Sequence, residues 1–589
     1  MLGMRTSNKV VLALTQAMIL SASSRTSVMP RWLLVIVALP LVVLLGLGGL
    51  AIYMRTSPLE VMSVMTSDAV MQLRKEMRPA RRNGPRVLVI ALDGVGADEF
   101  RDAVSSGGMP QVSSLLGKEL GSGGVLYEHG LAPEGVLTIL PSTTFAAWTA
   151  VYTGATVAES GVAGNEWFDR ETTTFVAPAP VSVKGHGDAV QVYTDSLLHQ
   201  WMAVPTLFER ANVRSYVTLA AQYRGADLLV RPNAGSFAKL AASFAVGVAD
   251  GDSDWEAYSA LDQAAIAKTL DAIEEHGLAD LQVVYFPGVD LFTHVADSAM
   301  HSQQRYLTNV IDSAIGRLLG AYRIRSALDS TYVLLVSDHG HTPTIADDRH
   351  ALGAGEDGRP EDVLQAVGFR VRPFELETDD EAYQAVLAYQ GAFAYVHLAD
   401  RSTCRRARDR CNWKAPPRFE ADVLEVVRAF DAAARSGIGA ASLKGAIDLI
   451  FARESRGVEP AAPFKVWDGK SLVPVRDYLA ANPRPDLLDL EHRLEGLGAG
   501  RYGHRSGDVM LLARYREQDP ETQRYYFASK YRSWHGSPSR QDSEMLFALA
   551  RPASTGAELR AKMHAAIGER PSQLDVTPLI LQLLERGRE

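Results

Sequence analysis

The sequence predicts an α/β fold: a mainly parallel central sheet flanked by helices, with a cap or insertion lobe and a transmembrane helix near the N-terminus. Three observations carry this reading. Apolar runs of strand length recur at Arg86–Leu92, Leu281–Phe286 and Thr331–Ser337, as expected of strands buried on both faces of a parallel sheet. Helical patterns run between them, from about Trp255 to Glu275 and from Gln303 to Tyr322, which is the alternation of crossover connections. The strands also run out into turns that carry carboxylates, where open α/β sheets place their ligands.

With 589 residues the chain can bury a sizeable core and form more than one lobe. Its 47% hydrophobic and 22% charged content is that of an ordinary globular protein. The net charge of −9, with no basic cluster interleaved with aromatics, argues against nucleic acid as the main ligand. The short Arg-rich piece from Arg78 to Arg86 reads instead as a membrane-proximal linker.

Taken in order, residues 1–31 form a tail rich in cations (Arg5, Lys9, Arg25, Arg31) without an acidic residue. From Trp32 to Tyr53 there is no charge, and at helical rise the stretch spans roughly 33 Å, enough to cross a bilayer. Arg55, Glu60 and Asp68 follow it. The asymmetry predicts a cytoplasmic tail, a single-pass anchor over 32–53, and the bulk of the chain outside the cytoplasm, periplasmic or extracellular. The run is longer than a signal-peptide core, which favours an uncleaved anchor. Residues 54–85 read as a linker, 86–341 as the first part of the α/β core, 342–501 as the insertion or cap, and 502–589 as the rest of the core. That last part is expected to hold strands over 508–513 and 545–550 and a closing helix over 576–586. Cys404 and Cys411 are the two cysteines; outside the membrane they can form a local disulfide.

Several stretches carry ligand-type side chains. Asp93-Gly94 ends the first apolar strand, and Asp290 and His294 stand four apart, on one face if helical. Asp338-His339-Gly340-His341 follows another buried strand, and His535-Gly536 lies near the C-terminus. A hydroxyl-rich turn, Pro141-Ser142-Thr143-Thr144, precedes an apolar helix, where free N–H groups and the helix dipole favour an anion. Asn165 sits in Gly164-Asn165-Glu166-Trp167-Phe168-Asp169. Each motif alone has an ordinary explanation as a turn, a cap or a solvated pair. Together they supply carboxylate and imidazole ligands without thiolate, a set that suits zinc and also accepts manganese. His341 reads as a neighbour of the ligands or a turn residue.

These stretches, in this order, resemble the alkaline phosphatase superfamily, and most closely its type I phosphodiesterase/nucleotide pyrophosphatase branch, over roughly residues 86–589. The resemblance implies that Asp93, Thr144, Asp338 and His339 hold one divalent ion and Asp290, His294 and His535 the other. It implies Thr144 as the nucleophile, through a phosphothreonine intermediate, and Asn165 as a donor to a phosphate oxygen. The substrate expected is a small phosphate ester, a nucleotide or similar diester. Monoesterase relatives often carry Lys-x-Arg at a position that aligns here with Gln222-Tyr223-Arg224; the Lys is missing and Arg224 remains as a phosphate-binding candidate. Losing a cation weakens binding of a dianion most, which favours diesters, with a phosphomonoesterase second. A membrane-linked transferase of phosphate-containing headgroups ranks third. A binding protein with a dead site ranks last, because no ligand position is lost.

Overall fold

The computed structural model describes residues 69–81, 84–183, 187–232, 255–353, 359–374 and 382–585. The tail and the apolar stretch 32–53 lie outside the described residues. Among those described, no helix is long and apolar enough to cross a membrane.

The central sheet has eight strands among the described residues. Their order is Val70–Gln72, Leu228–Val230, Ser215–Thr218, Leu281–Phe286, Arg86–Leu92, Thr331–Ser337, Phe547–Ala550 and Gly130–Leu131. The five from Leu228–Val230 to Thr331–Ser337 are mutually parallel, and the three outer ones pair antiparallel. The middle strand shows why the runs are continuously apolar. Leu88, Ile90 and Leu92 enter one core, and Val87, Val89 and Ala91 enter the other. Tyr258, Ile266 and Ile315 cover the first face, and Trp148, Val151, Leu579 and Ile580 the second. Each buried aliphatic side chain contributes ~1.5–3 kcal/mol, and because both faces are buried, a one-residue slip would cost misfit, by putting the side chains of one core into the other, rather than exposure.

Register then sets the site. Leu92 pairs with Phe286 on one side and Ser337 on the other. The next residues, Asp93 and Asp338, and the helix that follows Phe286 therefore leave the sheet at one edge.

A second sheet of six antiparallel strands runs in the order Ala385–Gln390, Phe393–Leu398, Val509–Ala513, Ile447–Ala452, Lys465–Trp467 and Leu472–Pro474. Two expectations are corrected here. The strand at 509–513 belongs to this second sheet, between Phe393–Leu398 and Ile447–Ala452, and not to the central one. Both of its faces are buried, so its composition matches that of a central parallel strand. The segment 54–85 is also more than a linker. Val70–Gln72 pairs with Leu228–Val230, Arg78 donates to Asp227 Oδ2 at 2.9 Å, and Arg81 donates to Leu584 O at 2.6 Å. These arginines serve the fold rather than a membrane surface. Cys404 and Cys411 are disulfide-bonded, with Cα atoms 4.8 Å apart.

Candidate metal centre and active site

Asp93 and Asp338 emerge from adjacent strand ends. Asp338 Oδ1 accepts from the backbone N–H groups of Gly94 and His339, each at 3.0 Å, and the Tyr285 hydroxyl donates to Asp93 Oδ2. The other two oxygens, Asp93 Oδ1 and Asp338 Oδ2, are buried without a hydrogen-bond partner. His339 Nε2 stands 3.1 Å from Asp338 Oδ2 and 3.7 Å from Asp93 Oδ1. Orphaned buried carboxylate oxygens beside an imidazole are costly, and a cation removes that cost. The residues present therefore fit a metal ion.

A second group adjoins the first. Asp290 and His294 lie one turn apart on the helix Gly288–Val295, with Oδ2 and Nε2 at 3.5 Å. His535 Nε2 lies 3.8 Å and His341 Nε2 2.8 Å from Asp290 Oδ1. The His339 and His535 rings stack with centroids 3.6 Å apart, which joins the two groups. Gly94, at φ +68°, is required for this approach. A Cβ there would lie 2.6 Å from His341 Nε2 and 2.8 Å from Asp290 Oδ1.

Each imidazole is held through its other nitrogen. Nδ1 of His294 faces Ser533 O at 2.8 Å, that of His535 faces Ser142 O at 2.8 Å, and that of His339 faces Gly340 O at 3.1 Å. A carbonyl can only accept, so Nδ1 carries the proton and Nε2 presents its lone pair to the carboxylates. This is how metal-ligating histidines are oriented.

The electrostatics agree. Burial holds His535 and His294 below the ordinary imidazole range, and His341 falls to about 4 for the same reason. These rings are neutral at physiological pH, the state that binds metals. Burial, with the neighbouring charges of Asp338 and Asp290, raises the Asp93 carboxyl well above the usual range. Burial pulls His339 down, but the charge of Asp338 outweighs it and raises this ring. A cation here would compete with protons for Asp93 and for His339 Nε2.

Thr144 opens the helix Thr144–Thr153, with Oγ1 3.4 Å from His339 Nε2. Its neighbours are unavailable: Ser142 donates to Ser537 O at 3.0 Å, and Thr143 is fully buried. Thr144 is half-buried, a reachable hydroxyl beside the carboxylates. Asn165 reaches the same turn, its Oδ1 accepting from Phe145 N at 3.2 Å. Gln390 Oε1 in turn accepts from Asn165 N at 2.9 Å, so the second sheet steadies it.

Arg224 is not brought to the site. Its Nε donates to Glu209 at 3.1 Å, Nη1 to His199 O and Met202 O at 3.1 and 2.9 Å, and Nη2 to Val204 O at 2.5 Å. Every guanidinium nitrogen is engaged, so the expected phosphate contact is corrected to a structural one. Gln222 is buried and donates to Thr149 Oγ1 at 3.3 Å. His341, which the sequence places only beside the ligands, is the imidazole nearest Asp290 among those described. The signal for it is His-x-His after a buried strand, which sets both rings at one strand end.

A reachable hydroxyl at a helix N-terminus, beside buried carboxylates and oriented imidazoles at the carboxyl edge of an α/β sheet, defines the class: a metal-dependent hydrolase of phosphoric esters. The family model for type I phosphodiesterase / nucleotide pyrophosphatase matches residues 87–405, more than half of the chain. The chain belongs to that family. No curated protein matches it in sequence. Among solved structures it is similar to murine ectonucleotide pyrophosphatase / phosphodiesterase 5, at 13% identity over 85% of this chain and 95% of that one, with a TM-score of 0.44. It is also similar to phosphonoacetate hydrolase from Sinorhizobium meliloti 1021, at 16% identity over 87% and 100%, with a TM-score of 0.42.

Proposed function

We propose that the protein is a two-metal phosphodiesterase/nucleotide pyrophosphatase that acts through a phosphothreonine at Thr144. The observation that carries this reading is the pair of buried, unpartnered oxygens, Asp93 Oδ1 and Asp338 Oδ2, beside a reachable hydroxyl. Asp93, Thr144, Asp338 and His339 would hold one divalent ion and Asp290, His294 and His535 the other, with zinc the first choice and manganese the second. Bound there, the ions supply positive charge at the reacting phosphate and lower the pKa of the threonine hydroxyl. Thr144 Oγ1 attacks phosphorus, the bond to the leaving oxygen breaks, and water then cleaves the phosphothreonine in a second in-line displacement. The Asn165 amide NH2, with its Oδ1 held by the Phe145 N–H, orients a non-bridging oxygen at the helix N-terminus.

With Arg224 and Gln222 engaged elsewhere, neither supplies a side-chain cation to the phosphate. A monoanionic diester needs that charge less than a dianionic monoester does. The uncharged stretch 32–53, with cations before it, supports a membrane anchor that keeps the catalytic domain outside the cytoplasm.

The test compares hydrolysis of bis-p-nitrophenyl phosphate and p-nitrophenyl phosphate by the zinc-loaded protein, with Thr144→Ala as control. The expected result is preference for the diester, abolished in the variant. A strong monoester preference would replace this reading with a phosphomonoesterase. Inactivity on both with zinc bound would point to transfer rather than hydrolysis.

A further inference from the structure

Residues 404–414 carry five cationic side chains, Arg405, Arg406, Arg408, Arg410 and Lys414, against one acid, Asp409. The whole chain has a formal net charge of −9, so this short stretch runs against the sign of the chain as a whole. Its base is fixed. Cys404 and Cys411 are bonded, Asn412 N donates to Thr403 Oγ1 at 3.1 Å, and Arg370 and Gln384 donate to Cys404 O at 3.0 and 3.1 Å. Asp409 serves the loop's own turn, accepting from Arg406 N at 2.9 Å.

The neighbouring arginines make the contrast. Arg401 and Arg418 both pair with Asp422, at 2.8 and 2.9 Å, and so serve the fold. Arg405, Arg406, Arg408 and Lys414 are exposed, and none has an ion-pair partner among the described residues. Guanidinium groups displayed this way match phosphate oxygens in charge and in bidentate geometry.

We propose that this loop docks on anionic lipid headgroups and holds the catalytic domain against the membrane surface. The proposal rests on the reading of 32–53 as an anchor, because the tether makes a weak contact effective. Each cation near an anionic leaflet contributes roughly a fivefold gain in binding, and the second contact on one chain is intramolecular.

The experiment places the full chain in nanodiscs of phosphatidylcholine alone or mixed with phosphatidylglycerol, and follows amide hydrogen exchange over 404–412. The expected result is exchange slowed about tenfold or more in the anionic discs, with protection lost at about 1 M salt, where screening is nearly complete. The triple variant Arg405→Gln/Arg406→Gln/Arg408→Gln should lose the protection while keeping hydrolase activity. Equal exchange in both lipids overturns the proposal alone. So does protection in neutral discs by soluble heparin without protection by anionic lipid, which would give the loop a soluble polyanion instead. Failure of the chain to co-purify with either disc overturns the anchor and the docking together.

Discussion

The two halves of the candidate metal centre are built differently. Asp93, Asp338 and His339 leave neighbouring strands whose pairing is fixed by the central core. Asp290 and His294 stand on the helix that follows strand Leu281–Phe286 and packs in the same core through Val289, Phe292 and Val295, whereas His535 comes from a segment far along the chain and is braced from outside that core. Ser533 O and Ser142 O orient the rings, Ala392 N donates to His535 O at 3.2 Å, and the turn at Gly391 packs against Trp534. The contacts at Gly391 and Ala392 tie Trp534 and His535 to the turn between Ala385–Gln390 and Phe393–Leu398 of the second sheet. The Asp93 half and the Asp290–His294 pair are therefore positioned by the central core, and His535 by its contact with the second sheet. A perturbation of the second sheet should reach the Asp290 half and leave the Asp93 half intact.

Gly391→Ala is the strongest way to break this comparison. A Cβ there would overlap the Trp534 indole, 1.4 Å from its Nε1, and must displace the segment that carries His535. The expected result is a roughly 100-fold loss of affinity for one ion, as for a lost orienting contact, with the other ion unaffected. Chelator-competition titration reads both; an equal loss at both sites would contradict the division. Tyr285→Phe is the converse, removing the hydroxyl that holds Asp93. It should weaken the Asp93 half about tenfold and leave the Asp290 half unchanged in the same titration.

The pH dependence follows from the raised Asp93 and His339. A group whose folded pKa is raised stabilises the protein fully below its unfolded pKa, and that contribution is lost as pH rises through the folded value. The metal-free protein therefore loses this contribution as pH rises, whereas an ion in place of the protons compensates for it. The Tm gap between loaded and chelated protein should widen from about pH 5 to about pH 8; a constant gap would show that no protons are displaced. The smallest effect on activity is expected for Arg224→Gln. It leaves Glu209 and three carbonyls without their donor, at about 1–3 kcal/mol of stability, with KM for a diester essentially unchanged. A large rise in KM would return Arg224 to the site.

The same contrast explains what could be read from the sequence. Strand-end motifs were legible because a buried parallel strand is largely apolar and the first carboxylate past its end marks the ligand edge, as at Asp93 and Asp338. The Asp290–His294 pair was legible from helical spacing. Arg224 misled because a guanidinium that caps carbonyls and one that grips phosphate look alike in sequence; only its partners distinguish them. The strand at 509–513 misled because burial on both faces does not reveal which sheet buries it. The part played by His341 depends on the turn after Gly340 and the approach permitted by Gly94, a tertiary contact between distant parts of the chain that local pattern does not encode.

The central claim is that two ions are held by two separately built groups, and metal stoichiometry tests it most directly. Elemental analysis of the purified protein, of Asp338→Asn and of His535→Ala, each saturated with zinc and freed of excess, should give two ions per chain for the parent and one for each variant. Loss of both ions from either variant, or a single ion in the parent, would contradict it.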